Sequence, residues 1–160
     1  MKLALPTVLG LALIPLAGCG PAPAPPAAPP PPTAVAGLVN GAFDLELDGR
    51  TLHYEVRGSG PVVLHLTNSW GLSLEGLRQM YRPLEDGLTM VYFDPRGMGG
   101  SSPPRADSDM GMAAVREDFH ALREHLGLEK VHAMGWSNGA MNLILLAAER
   151  PETLESATFV

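Results

Sequence analysis

Residues 43–160 predict an α/β fold, a mostly parallel sheet with helices on both faces. Two observations lead to this fold class: short apolar runs bounded by Gly, Pro and Asp recur along the chain, and segments with helical periodicity separate them. Strands that alternate with helices favour parallel pairing, because each helix carries the chain back across one face of the sheet. The pattern breaks off within a sixth strand, so the sheet is expected to be truncated there.

The first elements form a predicted hairpin and a buried strand. Apolar and acidic residues alternate over 43–48, Gly49 marks a turn, and a second strand follows over 51–57. After a turn rich in Gly and Ser, the apolar run at 62–66 suits a strand that is buried on both faces.

The remaining elements alternate between helix and strand. Val115, Phe119, Leu122 and Leu126 share one face of a predicted helix, and Gly127 ends it. Pro, Gly and Ser fill 95–104, which predicts a loop. In chain order, the segments are a helix at 74–84, a strand at 88–93, the helix at 112–126, a strand at 130–136, a helix at 138–150 and a strand at 154–160.

Composition excludes several classes of function. The formal net charge is −6, and the nine Arg and two Lys are scattered singly, so no basic cluster exists to follow a nucleic-acid backbone. The single cysteine, Cys19, rules out an intramolecular disulfide, and no Cys/His cluster has the spacing of metal ligands. We therefore expect neither a nucleic-acid partner nor a metal.

The N-terminus has the layout of an export signal. Lys2 precedes an apolar stretch of about a dozen residues, and small residues lead to Cys19. The sequence at 16–19, Leu-Ala-Gly-Cys, resembles the lipobox of bacterial lipoproteins. This resemblance implies that the chain is cut before Cys19, that Cys19 is lipidated, and that the protein is anchored to a membrane of the bacterial cell envelope. The alternative is an ordinary signal peptide in which Cys19 is incidental.

A proline-rich segment follows the cysteine. Residues 20–32 read GPAPAPPAAPPPP, which favours an extended polyproline II conformation of roughly 40 Å. Its position favours a spacer, and a ligand for a proline-recognition domain is the alternative. The predicted organisation is thus a signal peptide at 1–18, a lipidated linker at 19–40 and a folded domain at 41–160.

A nucleophile motif lies between the fifth strand and the following helix. Gly135, Trp136, Ser137, Asn138 and Gly139 match GxSxG in the required context of strand, turn and helix. Glycine is needed on both sides, because the serine occupies a strained and very tight turn. The turn predicts an exposed Ser137 hydroxyl, with the backbone N–H of Asn138 placed to stabilise an oxyanion.

A second motif agrees with the first. Residues 94–101 read DPRGMGGS and resemble the DxRGxGxS segment that follows the fourth strand in many α/β-hydrolases, forty-odd residues before the nucleophile turn. The chain is thereby identified as similar to the α/β-hydrolase superfamily over 43–160, with esterases, peptidases and haloperoxidase-like enzymes as the nearest groups. The resemblance implies a serine hydrolase without an organic cofactor. In this family Asp94 and Arg96 shape loops beside the site, so we expect a structural role for both.

The chain departs from the family pattern at one segment, and the roles of two tryptophans stay open. The family usually carries a His-Gly segment after the third strand, whereas this chain has Thr67 to Gly71 there. Because an oxyanion hole is built from backbone, Ser69 is the candidate for its second donor. Trp70 and Trp136 suit either a substrate pocket or plain packing.

The partners that would activate Ser137 are missing from this stretch. In this fold the order is Ser, then Asp or Glu, then His. All five histidines precede Ser137, and only glutamates of the last helix and strand follow it. The triad acid and histidine are therefore expected beyond Val160, and these 160 residues by themselves are expected to be poorly soluble or inactive. The leading hypothesis is a lipid-anchored hydrolase of a small ester or amide, and the alternative is a non-catalytic binding lipoprotein with the same fold.

Overall fold

In a computed structural model of the chain, residues 38–67 and 71–160 are described. The predicted signal, Cys19 and most of the linker lie outside these residues, as do Ser69 and Trp70. The described part forms strands β1 (Gly41–Leu47), β2 (Arg50–Gly58), β3 (Val62–Leu66), β4 (Thr89–Phe93), β5 (Val131–Gly135) and β6 (Leu154–Phe159), and helices α1 (Leu74–Tyr81), α2 (Met112–His125) and α3 (Asn138–Glu149).

The six strands form one sheet in the order β1-β2-β4-β3-β5-β6. Pairs β4/β3, β3/β5 and β5/β6 are parallel, while β2 is antiparallel to both of its neighbours. The prediction of a mostly parallel sheet is confirmed, since β2 alone among the described strands runs against the rest. Its direction follows from the two-residue turn at Asp48 and Gly49, where φ is 50° and 72°, because residues with positive φ make tight hairpins.

Helices cover both faces of the sheet, as predicted. On one face, α2 and α3 bury an apolar core that includes Leu64, Leu66, Phe119 and Leu143. On the other face, α1 packs over a smaller cluster whose members are Val63, Leu74, Leu77, Tyr81, Met90, Tyr92 and Met134. Successive residues of β3 alternate between the two clusters, as strand geometry requires. The central strands β3 and β4 are buried throughout.

The helix predicted at 74–84 is wrong in its last turn. The α-helix ends at Tyr81, and a 3-10 helix continues over Arg82–Asp86 with proline in its first turn. Pro83 has no N–H to donate to a carbonyl four residues earlier, so it does not extend an α-helix. The other predicted bounds agree with the structure to within about two residues.

Buried polar side chains hold the loop after β4. Asp94 is 2% exposed, and its carboxylate accepts the N–H of Leu74 at 2.6 Å and that of Gly100 at 2.8 Å. The Ser101 hydroxyl donates to the Asp94 carbonyl at 2.8 Å and accepts the N–H of His53 at 2.9 Å. Asp94 therefore ties the loop to the start of α1 and to β2.

Arg96 anchors the same loop to α2. Its guanidinium donates to the Asp118 carboxylate at 2.8 and 2.9 Å and to Asp109 at 2.5 Å, and it pairs with Glu117 at 3.2 Å. Burial opposes the charge on Arg96, but hydrogen bonds and charge from Asp118 and Asp109 outweigh it, so the pKa of Arg96 is raised. Burial also raises the pKa of Asp118, although Arg96 acts in the opposite direction. These contacts hold the loop after β4 against α2, which is a structural role.

Candidate active site

The turn between β5 and α3 gives Ser137 an unusual backbone. Its φ is 53° and its ψ is −118°, a combination that costs a residue with a Cβ of the order of 1–3 kcal/mol. Ser137 is exposed, and it lies at the carboxyl edge of the sheet, directly after β5. The turn therefore presents a serine to solvent at the edge where parallel sheets place their sites.

Glycine at position 135 permits this turn. A Cβ built on Gly135 would lie 2.6 Å from the Gly139 oxygen and 2.9 Å from the Ala140 nitrogen. Both are backbone atoms of the first turn of α3, so they cannot rotate away as a side chain would. The expected need for a glycine two residues before the serine is thus explained by the close approach of the helix.

The start of α3 lies beside Ser137. Asn138 is the first residue of the helix, and Gly139 donates its N–H to the Trp136 carbonyl at 2.8 Å. Backbone N–H groups at a helix N-terminus, together with the helix dipole, stabilise negative charge placed next to them. Such an arrangement suits an oxyanion formed at Ser137, and the role of the Asn138 N–H as its donor stays a prediction.

The last residues of the sheet hold the turn from the other side. The N–H of Ser137 donates to the Val160 carbonyl at 3.2 Å, and the N–H of Val160 donates to the Gly135 carbonyl at 2.9 Å. These bonds extend the parallel β5/β6 ladder by one step past β5. The turn is thus fixed between a helix and a neighbouring strand.

Trp136 packs against the cluster under α1. It is partly buried and contacts that cluster rather than standing clear in solvent. The other interpretation of Trp136, as a wall of a substrate pocket, stays a prediction. Ser69 and Trp70 lie outside the described residues, so the second oxyanion donor also stays a prediction.

Three histidines make side-chain contacts of their own. His53 bonds Asp44 at 2.7 Å, His132 bonds Ser156 at 2.8 Å, and His125 contacts the Tyr54 hydroxyl at 3.4 Å. Within residues 38–67 and 71–160, no histidine makes a hydrogen bond to Ser137. These three histidines therefore have side-chain partners other than Ser137.

His65 is a buried base with an unusual environment. Its ring is fully buried between Tyr81 and Tyr92, with ring centroids 5.1 and 6.0 Å away. Neither ring nitrogen has a hydrogen-bond partner among the described residues. Burial lowers the pKa of His65 to about 4, because the protonated ring loses its hydration. This histidine is therefore neutral at physiological pH.

Two polar residues near the turn escaped prediction from the sequence. Asn142 on α3 is fully buried, and its amide lies 3.4 Å from the Asn138 side chain and 3.4 Å from Arg116 of α2. A signal was present, since Asn142 is the one polar residue in the stretch GAMNLILLAA over 139–148. Its partner Arg116 could not be predicted, because it comes from another helix.

The described part of the chain shows neither a metal site nor a membrane span. No group of three or more His, Cys, Asp or Glu side chains in it is arranged to hold a metal ion. Over the same residues, none of the helices has the length and apolar character that a bilayer crossing needs.

Comparison with known proteins identifies related chains. Residues 62–160 match the family model described as alpha/beta hydrolase fold. The human "Serine hydrolase BPHL" is 31% identical over 123 residues, which are 75% of this chain and 42% of that protein. The "Uncharacterized hydrolase YraK" of Bacillus subtilis (strain 168) is 28% identical over 108 residues, which are 68% of this chain and 40% of that protein.

A solved structure shares the fold. The epoxide hydrolase VrEH1 from Vigna radiata superposes with a TM-score of 0.66 and 26% identity, over 75% of this chain and 39% of that one. The chain thus spans about two fifths of the length of each of these three relatives.

Proposed function

The chain belongs to the α/β-hydrolase fold family, and from this membership we propose that it is a serine hydrolase that cleaves an ester or amide through an acyl-enzyme at Ser137. The observation that carries the proposal is the strained, exposed Ser137 at the junction of β5 and α3. A residue with a Cβ keeps such a backbone only where the surrounding structure imposes it, and such strain clusters at active sites.

The geometry of the turn supports the following course for the proposed reaction. The Ser137 oxygen attacks the substrate carbonyl, and its proton passes to a general base as the new C–O bond forms. The negative charge on the carbonyl oxygen is stabilised by the Asn138 N–H and the N-terminus of α3. The bond to the alcohol or amine then breaks, the base returns the proton to that leaving group, and water releases the acid from Ser137.

The base is proposed to be a histidine oriented by an Asp or Glu, in the family order Ser, then Asp or Glu, then His; no histidine follows Ser137 within residues 1–160. This part of the proposal is supported by the family order of triad residues and by the positions of the five histidines, all before Ser137. The share of the relatives that the chain covers is consistent with it. Ser69 is proposed as the second oxyanion donor through its backbone N–H.

A fluorophosphonate probe tests the nucleophile. We expect the complete gene product to react covalently with the probe, and Ser137→Ala to lose the reaction. Ser156→Ala is the matched control, because Ser156 is also an exposed serine and lies within β6, the strand next to β5. Labelling that survives in Ser137→Ala, or an unlabelled wild-type protein, would overturn the proposal, and the second outcome would favour the non-catalytic binding lipoprotein.

We also propose that the protein is exported and attached to a membrane of the cell envelope through acyl chains on Cys19. The lipobox-like sequence supports this, and two or more acyl chains would make the attachment stable. The test is incorporation of a labelled fatty acid during expression in a bacterium. The wild-type protein should carry the label in the membrane fraction, whereas Cys19→Ser should lack it; equal incorporation in both would reject the proposal.

A further inference from the structure

Asn142 is a buried amide in an apolar helix face. It lies in the middle of α3, and its neighbours Leu143 and Leu146 are fully buried as well. Burying an amide without hydrogen bonds is unfavourable, whereas leucine at the same position would have no such cost. The presence of asparagine therefore calls for an explanation in terms of its partners.

Those partners connect α2 to the nucleophile turn. The Asn142 side-chain N–H₂ donates to the side-chain oxygen of Asn138, one helical turn earlier, at 3.4 Å. The Asn142 side-chain oxygen accepts from Arg116 of α2, also at 3.4 Å. Both bonds are long, and they are partly buried, because Asn142 is fully buried while Asn138 and Arg116 are partly exposed.

Arg116 is itself held in place. Its guanidinium makes a two-point contact with Glu149, the last residue of α3, at 3.0 and 2.9 Å. A forked contact of this kind restricts the guanidinium in direction as well as in distance. Arg116 therefore presents its remaining donor to Asn142 from a fixed position.

We infer that Asn142 is a positioning residue for the nucleophile turn, acting through Asn138. The inference rests on the proposed function, in which the Asn138 N–H stabilises the oxyanion. Fixing the Asn138 side chain limits rotation of the first residue of α3 and keeps its N–H directed toward the reacting oxygen. Arg116 holds the Asn142 amide in the orientation that makes this contact, with oxygen toward Arg116 and nitrogen toward Asn138.

A double-mutant cycle tests the coupling in the complete gene product. Asn142→Leu should lower the rate constant of fluorophosphonate labelling about tenfold, and on an ester substrate it should lower kcat with little change in KM. In an Asn138→Ala background the same substitution should change the labelling rate less than about twofold, because its target is gone.

Leu146→Ala is the control for a purely structural effect. Leu146 is as buried as Asn142 and lies one turn further along α3, so its truncation should lower the midpoint of urea unfolding clearly below that of the wild type. Labelling per folded molecule should nevertheless stay at the wild-type rate. Equal effects of Asn142→Leu in the two backgrounds would overturn the inference.

A readout without chemistry separates this inference from the proposed function. Amide hydrogen exchange of Asn138, followed by NMR, should be faster in Asn142→Leu and unchanged in Leu146→Ala. If the wild-type protein does not label, the proposed function fails, and unchanged exchange in Asn142→Leu would then show separately that Asn142 does not position the turn.

Discussion

Gly135 and Gly139 approach each other across the nucleophile turn, so that a Cβ on Gly135 would lie 2.6 Å from the Gly139 oxygen. This contact joins the end of β5 to the first turn of α3 and leaves no volume for a side chain. It explains in physical terms why the motif needs a glycine before its serine, and it leads to a first prediction.

Gly135→Ala should lower the free energy of unfolding by at least about 2 kcal/mol, because backbone atoms must move to admit the methyl group. Gly87→Ala is the matched control: Gly87 has no positive φ, and a Cβ added there would meet nothing within 4 Å. Urea unfolding measures both. A Gly135→Ala protein as stable as the control would show that the turn relaxes without cost.

Ser137→Gly should raise the free energy of unfolding by about 1 kcal/mol. Glycine accepts a φ of 53° without a steric penalty, and this gain exceeds the extra entropy that glycine loses on folding. Ser137→Ala, which keeps a Cβ, should leave stability near the wild-type value. Thermal unfolding compares the three proteins, and equal stability of the Gly and Ala variants would contradict the interpretation of Ser137 as strained.

Arg96→Met should lower the free energy of unfolding by about 3–5 kcal/mol, because it leaves the buried Asp118 carboxylate without its partner. Glu117→Gln is the control, since Glu117 pairs with the same guanidinium but its side chain is 70% exposed; its effect should stay within about 1 kcal/mol. Adding Asp118→Leu to Arg96→Met should recover most of the loss. If urea unfolding gives Arg96→Met and Glu117→Gln the same free energy of unfolding, the buried pair of Arg96 and Asp118 does not stabilise the loop.

His65 should make stability depend on pH. Its pKa is about 4 in the folded protein and about 6.5 in an unfolded chain. Between these values the unfolded state binds more protons, so the free energy of unfolding should fall by up to about 3 kcal/mol as the pH drops from about 6.5 to about 4. Above that range the histidine is neutral in both states and contributes no slope.

The dependence is measured as the free energy of unfolding against pH for the wild type and His65→Leu. The variant should have a shallower slope between about pH 4 and about pH 6.5, where His120, whose pKa is also lowered by burial, contributes as well. His132→Leu, which changes a partly exposed histidine on the same face of the sheet, should retain it. A slope as steep in His65→Leu as in the wild type would assign the dependence to other groups.

The sequence predicted the elements and the turn at Ser137 because these depend on neighbours within a few residues. The apolar runs of β3 and β4, the periodicity of α2 and the glycines around Ser137 are all local signals. One local signal was missed: Pro83 marks the change from α1 to a 3-10 helix.

Contacts between distant residues could not be predicted in this way. Asp94 reaches Leu74 across 20 positions, and Arg116 reaches Asn142 across 26. Nothing in the spacing of these residues specifies the partner, because hydrogen bonds of this kind form only after strands and helices have packed.

The amino-acid sequence by itself determined which segments become strand or helix and where a strained serine would stand. Tertiary structure decided the strand order, the approach of α3 that excludes a Cβ at Gly135, and the buried partners of Asp94, Arg96 and Asn142. The physical reason is range: backbone propensity and turn chemistry act over a few residues, whereas burial and pairing of polar groups depend on surfaces that folding brings together.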